Sequence, residues 1–327
     1  MLSCRWARAA YRADRRRAGQ CGLLIGLNAL HSAGLWRLPP AEGCQTMRAQ
    51  SVRHLQFMSQ PIFFAHANGF PSATYRKLFE ALAPEYRVAH MDRHGHDPRF
   101  PVDDNWNNLL DELFEQLEGL REPVWGVGHS FGGMLHYRAA LLRPELYHGV
   151  VMLDSPLPTW FDQTVIWAAK RLGFIDRLTP AGRTLGRREQ FSSAEEARAY
   201  FAGKALFSSF DPECLEAYIE HGLEPAGQGL RLRFDPQTEI SIYRSVPHLT
   251  PGWPPALKIP LAMVRGRESR VVLPHHAYLL RLMARGEAHT LSGGHMFPFE
   301  RPQQTAEKLR ELLGRWDAGR ELSRGAA

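Results

Sequence analysis

The sequence has little cysteine and no long apolar run, and its first segment has few acidic residues. Only four of the 327 residues are cysteine, and Cys4, Cys21 and Cys44 all lie within residues 1–57. Cys214 alone remains in the rest of the chain, which excludes an internal disulfide there and fits a reducing compartment, so we expect a cytoplasmic protein. No stretch approaches the ~20 apolar residues that a membrane-spanning helix needs, which argues against a membrane span.

Residues 1–57 differ in charge from everything that follows. They hold nine arginines against Asp14 and Glu42, so this segment carries a formal charge of +7. The whole chain carries +6, and the remaining 270 residues therefore carry −1. A nearly neutral body gives no electrostatic reason to expect nucleic acid as a partner. We interpret residues 1–57 as a leader, disordered or preceding a natural start at Met58. A transit peptide or secretory signal is the alternative.

From Pro61 onward, short apolar runs alternate with helical patterns. Ile62 to Ala65 reads as a buried strand, and residues 103–120 carry leucines at the spacing of an amphipathic helix. Such alternation is typical of a mostly parallel, doubly wound α/β sheet with helices on both faces and ligands at the carboxyl ends of its strands.

This alternation stops after Pro156. The pattern over residues 157–255 is mainly helical, with many aromatic residues, and strand and helix patterns alternate again from about Pro260. We therefore predict one α/β core, residues 58–156 and 256–327, with a mainly helical cap inserted over residues 157–255.

A candidate nucleophile stands in the segment Gly128-His129-Ser130-Phe131-Gly132. It fits G-x-S-x-G, and the pattern gains weight because an apolar strand precedes it and a helix follows at once. A serine on such a sharp turn requires small neighbours, and the helix that begins at Phe131 points free N–H groups at developing negative charge. The pattern indicates that Ser130 is a nucleophile.

The candidate base is His295, in Gly293-Gly294-His295. It follows the last predicted strand and precedes the final helix, so its side chain can reach the carboxyl edge of the sheet. An imidazole there can take the proton of Ser130 and return it to a leaving group.

Four segments together resemble the capped branch of the α/β-hydrolase superfamily, which includes epoxide hydrolases, haloalkane dehalogenases, carbon–carbon bond hydrolases and small-molecule esterases. They are His66-Ala67-Asn68-Gly69, Asp92-Arg93-His94-Gly95-His96, Gly128 to Gly132 and Gly294-His295. The first two groups of enzymes use aspartate as the nucleophile, so serine at position 130 argues against both. The resemblance implies an oxyanion hole built from the N–H of Phe131 and that of Asn68 or Ala67.

The acid of the triad departs from the family pattern. The usual aspartate follows the strand Leu261 to Val264, but the sequence has Ser269 there. Two carboxylates can replace it: Asp154, at the carboxyl end of the strand after the nucleophile helix, and Glu268, one residue before the expected place. Asp154 is the preferred candidate, and a site without any acid is the third alternative.

The expected activity is hydrolysis of an ester, thioester or related carbonyl compound by a carboxylesterase-like serine hydrolase. Alternatives are carbon–carbon bond cleavage or acyl transfer on the same residues, or ligand binding without turnover. We expect no metal and no organic cofactor, since the histidines around Asp92 lie on one loop and rarely close a metal site alone. The substrate is expected to be a small molecule with an apolar portion, in a pocket lined by His66, His129, Trp160 and Phe161.

Overall fold

The structure is a computed structural model that describes residues 61–83, 85–248 and 256–325. The predictions for residues 1–57 therefore fall outside the described residues. Within the described part, nine strands are β1 (Pro61–Ala65), β2 (Arg87–His90), β3 (Val124–His129), β4 (Tyr147–Leu153), β5 (Gln190–Phe191), β6 (Leu223–Ala226), β7 (Gly229–Leu232), β8 (Leu261–Gly266) and β9 (Glu287–Leu291).

The α-helices cover most of the remaining described chain. They are α1 (Arg76–Leu82), α2 (Asn107–Leu120), α3 (Phe131–Leu142), α4 (Trp160–Arg171), α5 (Ile175–Leu178), α6 (Ala181–Thr184), α7 (Ala194–Ala202), α8 (Pro212–His221), α9 (Pro236–Arg244), α10 (Pro274–Met283), α11 (Phe297–Glu300) and α12 (Pro302–Gly325). Short 3₁₀ turns occupy Ser72–Tyr75, Asp104–Trp106 and Pro144–Leu146. None of the helices in the described ranges combines the length and apolar character needed to cross a membrane.

Six strands form a parallel sheet in the order β2-β1-β3-β4-β8-β9. The central strands β1 and β3 are buried at every residue, as expected of strands that are covered on both faces. The predicted fold class, a mostly parallel doubly wound α/β sheet, is confirmed.

Alternate residues of each central strand pack on opposite faces of this sheet. Ile62 and Phe64 join a core with α1, α8 and α12, whereas Phe63 joins a second core with α2, α3 and α10. In β4 the same alternation sends Val151 to the first core and Val150 to the second. Because side chains alternate between the two faces, each face buries its own set of apolar side chains against a layer of helices, and this burial stabilises the sheet between the two layers.

The chain order places a crevice beside β1. β2 pairs with one side of β1 and β3 with the other. The connection after β1 therefore leads toward one edge of the sheet, and the connections after β3 lead toward the other edge. Such a switch point leaves an opening at the carboxyl ends of the strands. The loop after β1 and the turn after β3 both border that opening.

Between β4 and β8 the chain forms the helices α4 to α9 and a small antiparallel sheet in the order β5-β7-β6. The prediction for this region was mainly helical, and it missed the small sheet. Its strands are two to four residues long, too short for a period of two to stand out, and Gly227 turns β6 into β7 with a positive φ of 58°. The boundaries of the cap, residues 157–255, stay a prediction.

Two leucines on α3 provide a matched test of this packing. Leu135 is 0% exposed and Leu142 is 63% exposed. We predict that Leu135→Ala lowers the free energy of unfolding by about 2–5 kcal/mol, since it opens a cavity in a packed core. Leu142→Ala should change it by less than about 0.5 kcal/mol. Urea unfolding followed by circular dichroism measures both, and equal losses would contradict the burial of α3.

Candidate active site

Ser130 stands on a strained turn between β3 and α3. Its φ of 54° and ψ of −113° lie in a region that residues with side chains rarely adopt, and its N–H donates to the carbonyl of Leu153 at 2.8 Å. The hydrogen bond ties this turn to the end of β4. The side chain of Ser130 therefore projects at the carboxyl edge of the sheet, beside the start of α3, and lines a cavity.

The glycines around Ser130 are required by close contacts. A Cβ on Gly128 would lie 2.3 Å from the carbonyl carbon of Gly132, and one on Gly132 would lie 2.1 Å from the carbonyl oxygen of Ala65. Gly133, outside the five-residue motif, is equally restricted, because a Cβ there would lie 2.0 Å from Ser155 Oγ. The turn can form only when these three positions lack side chains.

His295 and Asp154 are brought together from parts of the chain 141 positions apart. His295 Nδ1 lies 2.7 Å from Asp154 Oδ2. Asp154 is completely buried at the end of β4, with a positive φ of 43°, and its Oδ1 accepts the N–H of Gly266 at 2.8 Å. Because Nδ1–H donates to this carboxylate, Nε2 of His295 is left to accept a proton.

Contacts of the loop after β8 distinguish the two acid candidates, Asp154 and Glu268. Ser269, at the position where the family pattern has aspartate, donates its hydroxyl to Asp154 Oδ2. The exposed Glu268 instead accepts the N–H of Gly293 through Oε2 at 2.6 Å. The structure thus places Asp154 beside the imidazole, with Ser269 as a further donor to its carboxylate, and turns Glu268 toward the backbone before His295.

A buried relay of hydrogen bonds supports the loop after β1. The N–H of Ala67 donates to Tyr75 Oη at 3.1 Å, the Tyr75 hydroxyl donates to His129 Nδ1 at 2.7 Å, and His129 Nε2–H donates to the carbonyl of His295 at 2.9 Å. A carbonyl only accepts, so the tautomer of His129 is assigned by its partners. Since the N–H of Ala67 is engaged by Tyr75, Asn68 is the better-placed oxyanion donor of the two predicted.

Two of the four residues expected to line the pocket are buried beneath it. His129 takes part in the relay, and His66 donates Nδ1–H to the carbonyl of Ala67 at 2.8 Å while Nε2 accepts the N–H of His94 at 2.9 Å. Burial, together with the neighbouring imidazole of His295, lowers the pKa of His129 well below its usual value. Burial and the ring of His94 do the same to the pKa of His66. Both are neutral structural groups at pH 7.

The other two, Trp160 and Phe161, point away from the cavity. They are 71% and 62% exposed at the start of α4. Thr159 caps this helix with Asp162 in a reciprocal pair of hydrogen bonds, and the opposite face of α4 packs inward through Ile166 and Ala169. Val165 and Ile166, from the same helix, line the cavity instead.

The cavity above Ser130 has a volume of about 1020 Å³. From the core it is lined by Asn68, Phe70, Trp106, Ser130, Phe131, Met134, His295 and Met296, and from residues 157–248 by side chains that include Ile166, Leu178, Leu185, Phe201, Phe207, Tyr218 and Tyr243. Apolar and aromatic walls with a few polar groups are the usual form of a small-molecule site. Its volume is at the upper end of the roughly 300–1,000 Å³ typical of such sites.

Helix α9 closes one side of this cavity over the loop after β1. Asn68 Nδ2 donates to the carbonyl of Glu239 at 3.0 Å, and the buried Glu239 carboxylate accepts from Arg187 at 2.5 Å and from Thr184 Oγ1 at 3.2 Å. A Cβ on Gly69, whose φ is 84°, would lie 2.9 Å from this carboxylate. The loop after β1 therefore packs directly beneath Glu239.

Two of the histidines near Asp92 have different surroundings. The backbone N–H of His94 donates to His66, and its buried ring lies with Nδ1 3.5 Å from Glu112 Oε2. The ring of His96 accepts the backbone N–H of Asp235 through Nε2 at 3.0 Å. Within residues 61–83, 85–248 and 256–325, no group of three or more His, Cys, Asp or Glu is arranged to hold a metal ion.

Comparison with known proteins identifies the family. Residues 62–308 match a family model described as the alpha/beta hydrolase family. The chain belongs to this family. Among solved structures, it is similar to the crystal structure of E-2-(acetamidomethylene)succinate hydrolase, with a TM-score of 0.61 and 21% identity, over 79% of this chain and 92% of that one. At this identity the likeness supports the α/β-hydrolase fold.

Sequence relatives cover smaller parts of this alpha/beta hydrolase. It is 27% identical over 196 residues to the type I acyl-CoA thioesterase mpaH of Penicillium roqueforti (strain FM164), which is 52% of this chain and 43% of that protein. It is 31% identical over 96 residues to the pimeloyl-[acyl-carrier protein] methyl ester esterase of Shewanella woodyi (strain ATCC 51908 / MS32), covering 29% and 36%. The chain spans 38–43% of the length of the acyl-CoA thioesterases that it matches.

Three residues of the site were missed from the sequence. Tyr75 and Glu239 were not among the predicted site residues, and Ser269 was given no structural role. A hydroxyl within an otherwise apolar helical face is a weak signal that could have drawn notice to Tyr75. Ser269 was noticed as a departure from the family pattern, but its contact with Asp154 is visible only in three dimensions.

The Tyr75 hydroxyl gives a testable claim about the relay. We predict that Tyr75→Phe lowers the free energy of unfolding by about 1–3 kcal/mol, because the N–H of Ala67 and Nδ1 of His129 are then buried without this partner. Tyr278→Phe, at a 64% exposed position, is the control and should have little effect. Thermal and urea unfolding of both variants measures the difference. A loss as small for Tyr75→Phe as for Tyr278→Phe would refute the relay.

Proposed function

We propose that this alpha/beta hydrolase is a serine hydrolase that cleaves an ester, thioester or related carbonyl substrate through an acyl-enzyme on Ser130. The observation that carries the proposal is the 2.7 Å contact between His295 Nδ1 and Asp154 Oδ2, together with the lining of one cavity by both Ser130 and His295. A nucleophile, a base and a group that orients the base are the parts that acyl transfer requires.

In the first half-reaction, Ser130 Oγ attacks the acyl carbon and its proton passes to His295 Nε2. Asp154 holds the imidazole through Nδ1 and stabilises its positive charge. The tetrahedral intermediate then collapses, the bond to the leaving group breaks, and the proton on Nε2 passes to the leaving oxygen or sulfur. The acyl group stays on Ser130 as an ester.

In the second half-reaction, a water molecule attacks that ester. His295 takes a proton from the water and returns it to Ser130 Oγ as the acyl–oxygen bond breaks. The products of this step are the carboxylic acid and the free enzyme. The two half-reactions together consume one water molecule and release the acid and the leaving group.

Two backbone N–H groups are assigned to the oxyanion. Phe131 begins α3, where N–H groups are not yet engaged in the helix, and Asn68 follows the engaged N–H of Ala67 on the loop after β1. In comparable enzymes each such donor is worth about 3 kcal/mol of transition-state stabilisation. The hydrogen bond from the Asn68 side chain to Glu239 supports the position of its backbone.

The substrate class is supported by the cavity and by the relatives. The apolar and aromatic walls suit an acyl chain or another apolar portion of a small molecule. The relatives include an acyl-CoA thioesterase and a methyl ester esterase, which favours thioester and ester cleavage. Residues 157–255 are assigned as the cap that selects the substrate, over a core of residues 58–156 and 256–327, and the cytoplasm is the proposed location.

The nucleophile is tested by replacing Ser130. We predict that Ser130→Ala lowers kcat for p-nitrophenyl esters by about a million-fold, since no other residue is assigned to carry the acyl group. It should also abolish covalent labelling by a fluorophosphonate probe. Steady-state kinetics and in-gel fluorescence measure the two effects.

Ser208→Ala, at an exposed serine, is the control and should label and turn over like the wild type. A folded wild-type protein that is not labelled would favour ligand binding without turnover. Labelling that persists in Ser130→Ala would assign the nucleophile to another residue.

The two acid candidates are tested as a matched pair. Asp154→Asn should lower kcat by about 10⁴, because the carboxylate that orients and stabilises the imidazolium is lost. Glu268→Gln should leave kcat close to the wild-type value, since this side chain contacts the backbone of Gly293. Pre-steady-state kinetics of both variants measures acylation. The reverse ranking would transfer the role of the acid to Glu268.

A further inference from the structure

The charged side chains that line the cavity differ in whether they have partners. They are the cations Arg183, Arg187, Lys204 and Arg270 and the carboxylates Asp162, Glu239 and Glu268. Each of these carboxylates already accepts a hydrogen bond. Glu239 binds Arg187, Asp162 accepts the N–H and hydroxyl of Thr159, and Glu268 accepts the N–H of Gly293.

Three cations remain in this lining. Arg183, Lys204 and Arg270 are exposed, and within residues 61–83, 85–248 and 256–325 none of the three lies within 4.0 Å of a carboxylate oxygen in an ion pair. The Lys204 ammonium instead lies 4.3 Å from the centre of the Tyr200 ring, which directs it without neutralising it. The cavity therefore presents three positive groups that a ligand can meet.

Each of these cations is accompanied by an exposed apolar residue of the same lining. Leu185 follows Arg183 by two positions, Leu206 follows Lys204 by two, and Val271 follows Arg270 directly. The three pairs come from separate parts of the chain: α6, the segment after α7 and the loop after β8. Exposed apolar groups beside unpaired cations are suited to an amphiphile, which has an apolar body and an anionic group.

We propose that Arg183, Lys204 and Arg270 form an anion-binding rim on the cavity, and that the substrate is an acyl compound with a carboxylate or phosphate group held at this rim. The apolar acyl portion lies within the cavity, toward Ser130. The inference rests on the proposed function for the position of the acyl group, whereas the rim follows from the charges alone. Attraction at exposed cations raises the association rate and the affinity for anions, and salt weakens it.

The test compares substrates that share the scissile bond and differ in charge. Hexanoyl-N-acetylcysteamine is a neutral thioester, hexanoyl-CoA adds phosphates to the leaving group, and the adipyl half-thioester of N-acetylcysteamine adds a carboxylate to the acyl end. In the full chain, the triple variant Arg183→Gln, Lys204→Gln, Arg270→Gln should lower the ratio of kcat/KM for an anionic over the neutral thioester by about tenfold. The fall for hexanoyl-CoA or for the adipyl thioester identifies which end of the substrate meets the rim.

The control is a triple variant with the same change in net charge at exposed cations outside this lining: Arg121→Gln, Arg171→Gln, Lys258→Gln. It should retain the wild-type ratios and their dependence on salt. Ratios that are the same in the rim variant, the control and the wild type would overturn the proposal.

Binding provides a readout that needs no turnover. Calorimetric titration of Ser130→Ala with hexanoyl-CoA and with the adipyl thioester should give a Kd about tenfold higher when the rim substitutions are added, for at least one of the two. If the wild type hydrolyses neither the neutral thioester nor p-nitrophenyl esters and is not labelled by the fluorophosphonate probe, the proposed function is wrong, and this titration still decides the rim. Equal Kd values for both ligands with and without the rim cations would refute it.

Discussion

The contact between Asp154 and His295 is the interaction on which the rest of the site depends. Asp154 is held at the end of β4 by its own N–H, which donates to the carbonyl of Val264, and its carboxylate accepts from Gly266 and Ser269 in the neighbouring β8 and its loop. Ser130 is tied to the same strand through the carbonyl of Leu153. Ser130, Asp154 and His295 therefore keep their positions because adjacent parallel strands end at one edge of the sheet. A shift of β4 against β8 would separate all three.

Beneath these groups, Tyr75 and His129 connect the two loops that must cooperate. One end of the relay is the N–H of Ala67, next to Asn68, and the other is the carbonyl of His295. A buried neutral histidine suits this position because it donates with one nitrogen and accepts with the other, whereas protonation would remove the acceptor for the Tyr75 hydroxyl. His129 thus has a structural role, since its contacts connect the loop after β1 to the loop that carries His295.

The parts of the site that sequence reasoning identified are those determined by local chain geometry. Ser130 and His295 follow strands and precede helices, and a buried strand or an amphipathic helix is visible as a period of two or 3.6 along the chain. Asp154 and Glu268 could not be separated with certainty, because the choice depends on which carboxylate faces the imidazole through space. Trp160 and Phe161 were placed in the pocket because they are aromatic residues of the inserted region, but the face that α4 turns inward depends on its packing through Ile166 and Ala169. Contacts such as those of Tyr75 and Ser269 join distant residues and leave no periodic signal.

Helix α9 connects the inserted region, which is proposed to select the substrate, to the residues around Ser130. Its Glu239 carbonyl accepts from the Asn68 side chain, and its Ile242 carbonyl accepts Trp106 Nε1–H at 3.0 Å. Trp106 in turn packs edge-on against Phe131, with ring centres 4.9 Å apart. Both proposed oxyanion donors, Asn68 and Phe131, are thereby supported by one helix of the inserted region. A change that moved α9 would disturb the cavity wall and the loop after β1 together, because α9 lines the cavity with Ile242 and Tyr243 and holds the side chains of Asn68 and Trp106 through its backbone carbonyls.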